Sequence, residues 1–455
     1  MKSGQRNLLI LAGILLITAI SAWILMPRIV DALPGQIRVR LPQEFLELVT
    51  TPLPTALPAP LRSVGDANAV RIALATSTPT LTPLPTDFPT PEPGANRTSA
   101  VRTVRPTSTT LPSPTPSPTP SPTPLPRSVR LDGLEVKPQK YNNCGPANLS
   151  IVLNYYGHEV NQLEIGERLK PNYEDRNVSP GELAAYVTSE TELNAVILYG
   201  LDLAALKRLL AGDFPVIIEK GLLLQASHGW MGHYLTLYGY DEQEEIFYGL
   251  DTFLGPWDST GRTFDFASLD ELWAQFNRAT IVVYPQQRSA NLARVLGSDL
   301  LDEKVMWTAA ADKARSAIER DPDDAFAWLD LGASLYHLAV VEREGALFEQ
   351  SAVAFDEARE IGLPWRTLWY QFEPYLAYLG ADRFDEVMAL TDAVMTTSGG
   401  RNIEETYLYR GHALLASGDA EGAGKAYERA LRLNPGSFQA REALQALSDQ
   451  PSVFD

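Results

Sequence analysis

Hydrophobic and polar positions divide the chain into four stretches. Residues 8–26 form one uninterrupted apolar run, with Lys2 and Arg6 ahead of it. Its length matches the roughly 20 residues a helix needs to cross a bilayer. Ala19, Ile20 and Ser21 have the small-residue spacing of a signal cleavage site. The run continues through Trp23, Ile24, Leu25 and Met26, however, which is longer than a signal core requires. Residues 1–27 are therefore expected to be a retained transmembrane anchor, with a cleaved signal as the alternative. The short N-terminal tail would stay inside and the bulk of the chain would lie outside. Residues 28–128 show no such periodicity. The low-complexity part opens on Thr51-Pro52-Leu53-Pro54-Thr55 and closes on a run from Pro112 to Pro126 in which proline alternates with serine, threonine or leucine. Alternating proline removes backbone donors and blocks helix. A disordered, extended Pro/Thr-rich stalk is expected.

Residues 129–286 mix two periods. Apolar residues at helical spacing predict helices over 145–156, 180–189, 202–211 and 269–275. Ser179-Pro180-Gly181-Glu182 and Ser268-Leu269-Asp270-Glu271 both fit a capping box. Short runs of β-branched and aromatic residues predict strands over 195–199, 215–219, 234–240, 246–250 and 280–284. The pair 234–240 and 246–250, joined across 241–245, reads as a hairpin. The fold class of this part is α+β, with a helix first and the sheet after it.

Residues 291–450 turn helical, rich in alanine, leucine and glutamate. Tyr407, Gly411, Leu414, Ala423, Tyr427, Ala430 and Pro435 are spaced as in tetratricopeptide repeats, which this part resembles. Trp328, Leu331, Gly332, Leu335, Phe355, Ala358 and Pro364 form a second copy with an insertion around 337–345. The resemblance implies an all-α solenoid of about four helix pairs, whose concave face would recruit a protein partner. Overall composition, 45% hydrophobic and 21% charged, is that of a globular protein. The net charge of -18 argues against nucleic acid as a partner. No Cys/His cluster has metal-ligand spacing and no glycine-rich phosphate loop occurs, so no cofactor is expected.

The chemistry concentrates on the single cysteine, Cys144, in Gln139-Lys140-Tyr141-Asn142-Asn143-Cys144-Gly145-Pro146. It cannot form an internal disulfide. The helix that follows would put its positive end at the sulfur and favour the thiolate, which is the nucleophile. Five histidines are available as a base. His337 and His412 fall in the helical part, and His158 follows Gly157 at the far end of the nucleophile's helix. His228 and His233 remain. His233 opens the predicted strand 234–240 and is the better placed, with His228 as the alternative. Asp251, at the end of the hairpin's second strand, can reach His233 and orient it. Asp241 and Asp258 are the other candidates for that role. Gln139 lies where a side-chain amide could donate to an oxyanion beside the Cys144 N–H. Asn142, Asn143 and Asn148 read as turn and helix-start residues.

The block from Gln139 through Asn143-Cys144-Gly145-Pro146-Ala147 to Leu153-Asn154-Tyr155-Tyr156-Gly157 resembles the double-glycine, bacteriocin-processing cysteine peptidases. Gly232-His233-Tyr234 with Tyr238-Gly239-Tyr240-Asp241 resembles their histidine motif. Leu250-Asp251 followed by Gly255-Pro256 resembles their aspartate motif. The resemblance spans about residues 130–285. It implies a papain-like fold, with Cys144 as nucleophile, His233 as base, Asp251 as its orienter and Gln139 in the oxyanion hole. The setting departs from that family, whose members are fused to exporters with an ATP-binding module, so cleavage after a Gly-Gly leader is not carried over. The expected function is an extracytoplasmic, membrane-tethered cysteine peptidase acting on a peptide or protein substrate. A surface adaptor that binds peptides without turnover is the alternative class. Acyl transfer such as transpeptidation would use the same dyad.

Overall fold

The computed structural model describes residues 124–223 and 229–449, together with 56–62 and scattered positions between Gly13 and Phe45. Most of the expected anchor and nearly all of the stalk lie outside the described residues, as does His228. Positions described within the apolar run, such as Gly13, Leu16 and Trp23, are helical. No helix among the described residues is long and apolar enough to cross a membrane.

Seven antiparallel strands form one sheet. They are β1 (Ser128–Arg130), β2 (Leu193–Leu198), β3 (Val216–Leu223), β4 (Trp230–Asp241), β5 (Ile246–Leu250), β6 (Arg262–Asp265) and β7 (Thr280–Pro285). The order is β2-β7-β3-β4-β5-β6, with β1 also paired to β4. Side chains alternate between two buried faces, as the period of two demands. Ile217, Tyr234, Ile281 and Val283 pack under α1 (Cys144–Tyr155), α2 (Gln162–Leu169) and α3 (Pro180–Glu190). Val216, Ile218, Leu235, Leu237 and Val282 face the other way, toward α4 (Leu203–Ala211) and α5 (Phe266–Ala274).

The central strands run further than their composition predicts. The β3–β4 ladder extends to Leu223 and Trp230 through a facing glycine pair, Gly221 and Gly232. These glycines do not break the strands; neighbours occupy the space a side chain would take. A Cβ on Gly232 would lie 2.7 Å from the Phe276 ring and 2.9 Å from the Tyr370 ring. His233 consequently sits inside β4 rather than at its opening. Besides β1, two elements were not expected. One is α2, which Asn161 caps by accepting from the N–H groups of Leu163 and Glu164. The other is the edge strand β6. The capping box at Ser179 is formed, whereas α5 begins earlier than Ser268 and is capped by Asp265.

Helices α6 (Ser289–Leu296), α7 (Glu303–Arg320), α8 (Ala325–Glu342), α9 (Gly345–Ile361), α10 (Glu373–Gly380), α11 (Phe384–Met395), α12 (Glu404–Ala416), α13 (Ala420–Leu433) and α14 (Phe438–Ser448) complete the described chain. Small residues let these helices approach closely: Gly332 lies against the Phe355 ring and Gly411 against the Tyr427 ring. The helical part shares one continuous apolar core with the sheet. Tyr199 at the end of β2 stacks on Trp307 with ring centroids 4.5 Å apart. Asn277 donates its N–H to Asp330 at 3.0 Å and its side-chain amide to Ser334 at 3.0 Å. Arg366 donates to the Trp230 carbonyl at 3.2 Å, fixing the segment after α9 onto β4.

Candidate active site

The turn before α1 places the cysteine. Asn142 adopts a left-handed backbone conformation, φ 54°, which asparagine tolerates better than most residues. The Asn143 N–H closes the turn on the Lys140 carbonyl. Pro146 falls in the first turn of α1, where a missing N–H costs no helical bond. Asn143 stands at the N-cap but makes no side-chain cap. Its amide donates instead to the Gln162 carbonyl at 2.8 Å on α2. The first-turn N–H groups are thus left to serve the sulfur. Cys144 is half-buried. Burial pushes its thiol up, but a hydrogen bond and charge from His233, with the Tyr234 and Gly145 N–H groups, bring it below the ordinary thiol value.

His233 is buried in β4, and its Nε2 lies 3.1 Å from Asp251 Oδ1. That leaves Nδ1 as the nitrogen for the Cys144 thiol. Burial alone would depress the imidazole. The hydrogen bond to Asp251 and that to Cys144 overcome it, and the group is raised above its usual value. Asp251 is fully buried just past β5. Its Oδ1 also accepts the N–H groups of Phe253 at 2.9 Å and Leu254 at 2.8 Å. Burial opposes the charge, yet His233 and these two donors hold the carboxyl down at about 2. Each of the three shifts favours the charged form of its group.

The other candidates separate by position. Asp241 caps the β4–β5 turn, accepting from Gln243 and Glu244. Asp258 caps an exposed turn at Thr260. His158 follows the C-terminus of α1, about 18 Å from Cys144 at 1.5 Å per residue. Gln139 is held beside the site at both ends: its N–H donates to the Thr252 carbonyl at 2.8 Å, and its Oε1 accepts from Thr252 Oγ1 at 2.9 Å. With the acceptor spent on Thr252, the Nε2 hydrogens are the donors the side chain offers.

Asn148 does more than start a helix. Fully buried one turn after Cys144, it donates from Nδ2 to the Cys144 carbonyl at 2.9 Å, the Tyr234 carbonyl at 3.0 Å and Thr252 Oγ1 at 3.3 Å. Its Oδ1 accepts from Thr236 Oγ1 at 2.8 Å. One amide therefore ties the nucleophile's helix to the strand of His233 and to the residue after Asp251. The signal was an asparagine inside an apolar helical face, where its propensity is poor. Asn148→Leu is expected to cost about 2–4 kcal/mol, because it strands a buried hydroxyl and removes several bonds. Urea unfolding measures this loss, and an unchanged midpoint would contradict the assigned role.

Buried charges flank the site. Lys220 pairs across the ladder with His233. Burial lowers its ammonium to about 8, against the pull of Asp251. Glu219, its neighbour, is raised well above the carboxylate range by burial and by Cys144. Farther off, carboxylate oxygens of Glu182 on α3 and Glu404 and Glu405 on α12 come within 4.8 Å of one another, the one group among the described residues with spacing for a cation. Burial and the charge of Glu404 raise Glu182 to about 7, and burial and the charge of Asp175 raise Glu404 to about 8.

Residues 127–281 match the family model described as the peptidase C39 like family. Among solved structures, the chain is similar to a protein described as a C39-like peptidase from Bacillus anthracis, at 17% identity and a TM-score of 0.30, over 35% of this chain and 99% of that one. It is also similar to the peptidase domain of Streptococcus ComA, a bi-functional ABC transporter involved in a quorum sensing pathway. That match is at 16% identity and a TM-score of 0.26, over 34% of this chain and 100% of the other. None of the curated proteins matches this chain.

Proposed function

We propose that this chain is a membrane-tethered, extracytoplasmic cysteine peptidase that hydrolyses a peptide or amide bond through Cys144, His233 and Asp251. One observation carries the reading. His233 is held by Asp251 at 3.1 Å on Nε2, and its ring lowers the thiol of Cys144, which opens a helix. The thiolate attacks the carbonyl carbon, and the oxyanion forms beside the Cys144 N–H and the Gln139 amide. The imidazolium gives its proton to the leaving amine, leaving an acyl-thioester. His233 then takes a proton from water, whose hydroxide adds to the thioester carbonyl and expels the thiolate, restoring the thiolate beside a protonated imidazole. The apolar run at 8–26 supports the tether, and the stalk supports export. The helix pairs from α7 onward are read as tetratricopeptide repeats that recruit a protein partner.

An electrophilic thiol probe at about pH 5.5 tests the core of this reading, since an ordinary thiol is almost fully protonated there. Cys144 is expected to label on the order of tenfold faster than free cysteine or more. Labelling at the rate of free cysteine would sink the proposal. Incubation with peptides and an amine acceptor, followed by mass analysis, separates hydrolysis from acyl transfer.

A further inference from the structure

Residues 56–62, inside the expected stalk, are docked on the helical part. Ala56 forms an antiparallel bridge with Pro364. The Leu57 N–H donates to the Leu363 carbonyl at 2.9 Å, and the Leu57 side chain is buried in the main core. Arg359 on α9 donates from Nε to the Pro58 carbonyl and from Nη2 to the Ala59 carbonyl, both at 3.0 Å. Glu386 on α11 accepts from the Leu61 N–H at 2.8 Å and the Arg62 N–H at 3.3 Å. An extended backbone is thus read by one buried cation on its carbonyls and one buried anion on its N–H groups.

The groove is built for this task at some cost. Arg359 and Glu386 pair with each other at 2.8 Å. Arg383 bonds both oxygens of Asp356 at 2.7 and 2.9 Å and reaches Glu386 at 3.3 Å. Tyr378 joins Arg359 to Asp356. All four charged side chains are buried, and buried ion pairs seldom stabilise a fold more than apolar packing would. What this network provides is a fixed set of groups aimed at a peptide backbone: Arg359 Nε and Nη2, which the network leaves free, and Glu386 Oε1, which Arg383 holds in place at 3.3 Å. The segment suits them. Pro58 and Pro60 lack N–H groups and favour the extended conformation. Leu57 supplies the one buried anchor, while Leu61 is exposed.

We propose that the groove formed by Arg359, Leu363 and Glu386 is a binding site for an extended, proline-interrupted apolar peptide, occupied in the resting chain by residues 56–62 and open to exchange with an external peptide of that chemistry. While the internal segment is bound, the tether to the folded body ends at Ala56 instead of at Ser128. An external ligand that displaced it would release the chain between them and lengthen the reach. The inference does not depend on catalysis, and its readout is binding.

The test uses the full chain in detergent and a fluorescent synthetic peptide of residues 55–62, followed by anisotropy. Leu57→Asp in the chain weakens the internal competitor without touching the groove. The peptide is expected to bind this variant saturably. It should bind the wild-type chain on the order of tenfold more weakly or worse, because a tethered competitor acts at roughly millimolar effective concentration. A peptide carrying aspartate in place of its leucine should bind neither. In the wild-type chain, the Leu57, Leu61 and Arg62 amides should be protected from hydrogen exchange and lose that protection under excess peptide. Equal affinity for both chains, no saturable binding to the variant, or equal binding of the aspartate peptide overturns the proposal.

Discussion

Replacing His233 with alanine is expected to slow peptide hydrolysis on the order of 10³-fold, equivalent to about 4 kcal/mol of barrier. The loss has two parts with different pH signatures. The leaving amine loses its proton donor at every pH. The thiol also loses the hydrogen bond and charge that bring it down, leaving burial, its largest influence, which pushes it up. In the wild-type protein, thiolate is present from the lowered Cys144 value upward and disappears only on acidification through that value. In His233→Ala, the same loss should begin at a distinctly higher pH. Alkylation rates measured from about pH 5 to 10 should therefore show the variant's profile displaced toward alkali, with rates converging near the alkaline end. Coincident profiles would mean that His233 does not set the state of the sulfur. Normal alkylation with failed hydrolysis would confine its role to the amine.

The chain displays some of this arrangement openly and hides the rest for identifiable reasons. The helix after Cys144, the Ser179 capping box and the β4–β5 hairpin are local. They depend on residues within a dozen positions of each other, and their patterns are visible. The hairpin also brings Asp251 beside His233 and sends Asp241 to the turn, because a two-strand reading fixes which ends meet. Elements set by distant packing are not visible in this way. Gly221 and Gly232 look like strand breakers and are instead seats for Gln275, Phe276 and Tyr370, which arrive from α5 and from the segment before α10. Asn148 looks like a helix-start residue because its partners, Tyr234, Thr236 and Thr252, lie far along the chain. Residues 56–62 share the composition of their surroundings, and the partners that distinguish them, Arg359, Leu363, Pro364 and Glu386, lie about 300 residues away.

The same long-range packing bears on how the site is shaped. Trp230, three residues before His233, stacks on Phe276 at 5.5 Å and meets Tyr370 edge-on at 5.8 Å. Its indole N–H donates to Gln275 at 2.7 Å. Tyr370 feels the charge of Cys144, Arg366 and Arg176, so it stands within electrostatic range of the sulfur. The strand that carries the imidazole is therefore braced both by the residues that follow α5 and by the helical part. The helical part is not a detached appendage of the sheet, since the two share one apolar core. Arg366 and Tyr370 are the residues through which the helical part meets β4 at Trp230 and Gly232.

Asp251 offers the sharpest separation of charge from geometry. Its Oδ1 accepts three donors, the His233 ring and the N–H groups of Phe253 and Leu254. Its Oδ2 is buried with no hydrogen-bond partner among the described residues. In Asp251→Asn, the two backbone donors should force the amide oxygen into the Oδ1 position, since an NH₂ there would face N–H groups. The tautomer with a proton on Nε2 is then preserved and Nδ1 still faces the sulfur. What is lost is the negative charge, together with the cost of leaving an NH₂ unpaired at the Oδ2 position, about 1–3 kcal/mol of stability. Asp251→Ala loses both the charge and the acceptor, so the ring is free to turn or take the other tautomer. The asparagine variant is accordingly expected to retain activity within about tenfold of wild type, and the alanine variant to fall on the order of 10³-fold. Removing the carboxylate should also lower His233, because the Asp251 hydrogen bond and charge are what raise it. In both variants, the imidazolium should give up its proton at a lower pH and the alkaline limb of the rate profile should move toward acid. Steady-state rates against pH read both effects. Equal damage from the two substitutions would show that charge, not orientation, is what Asp251 supplies.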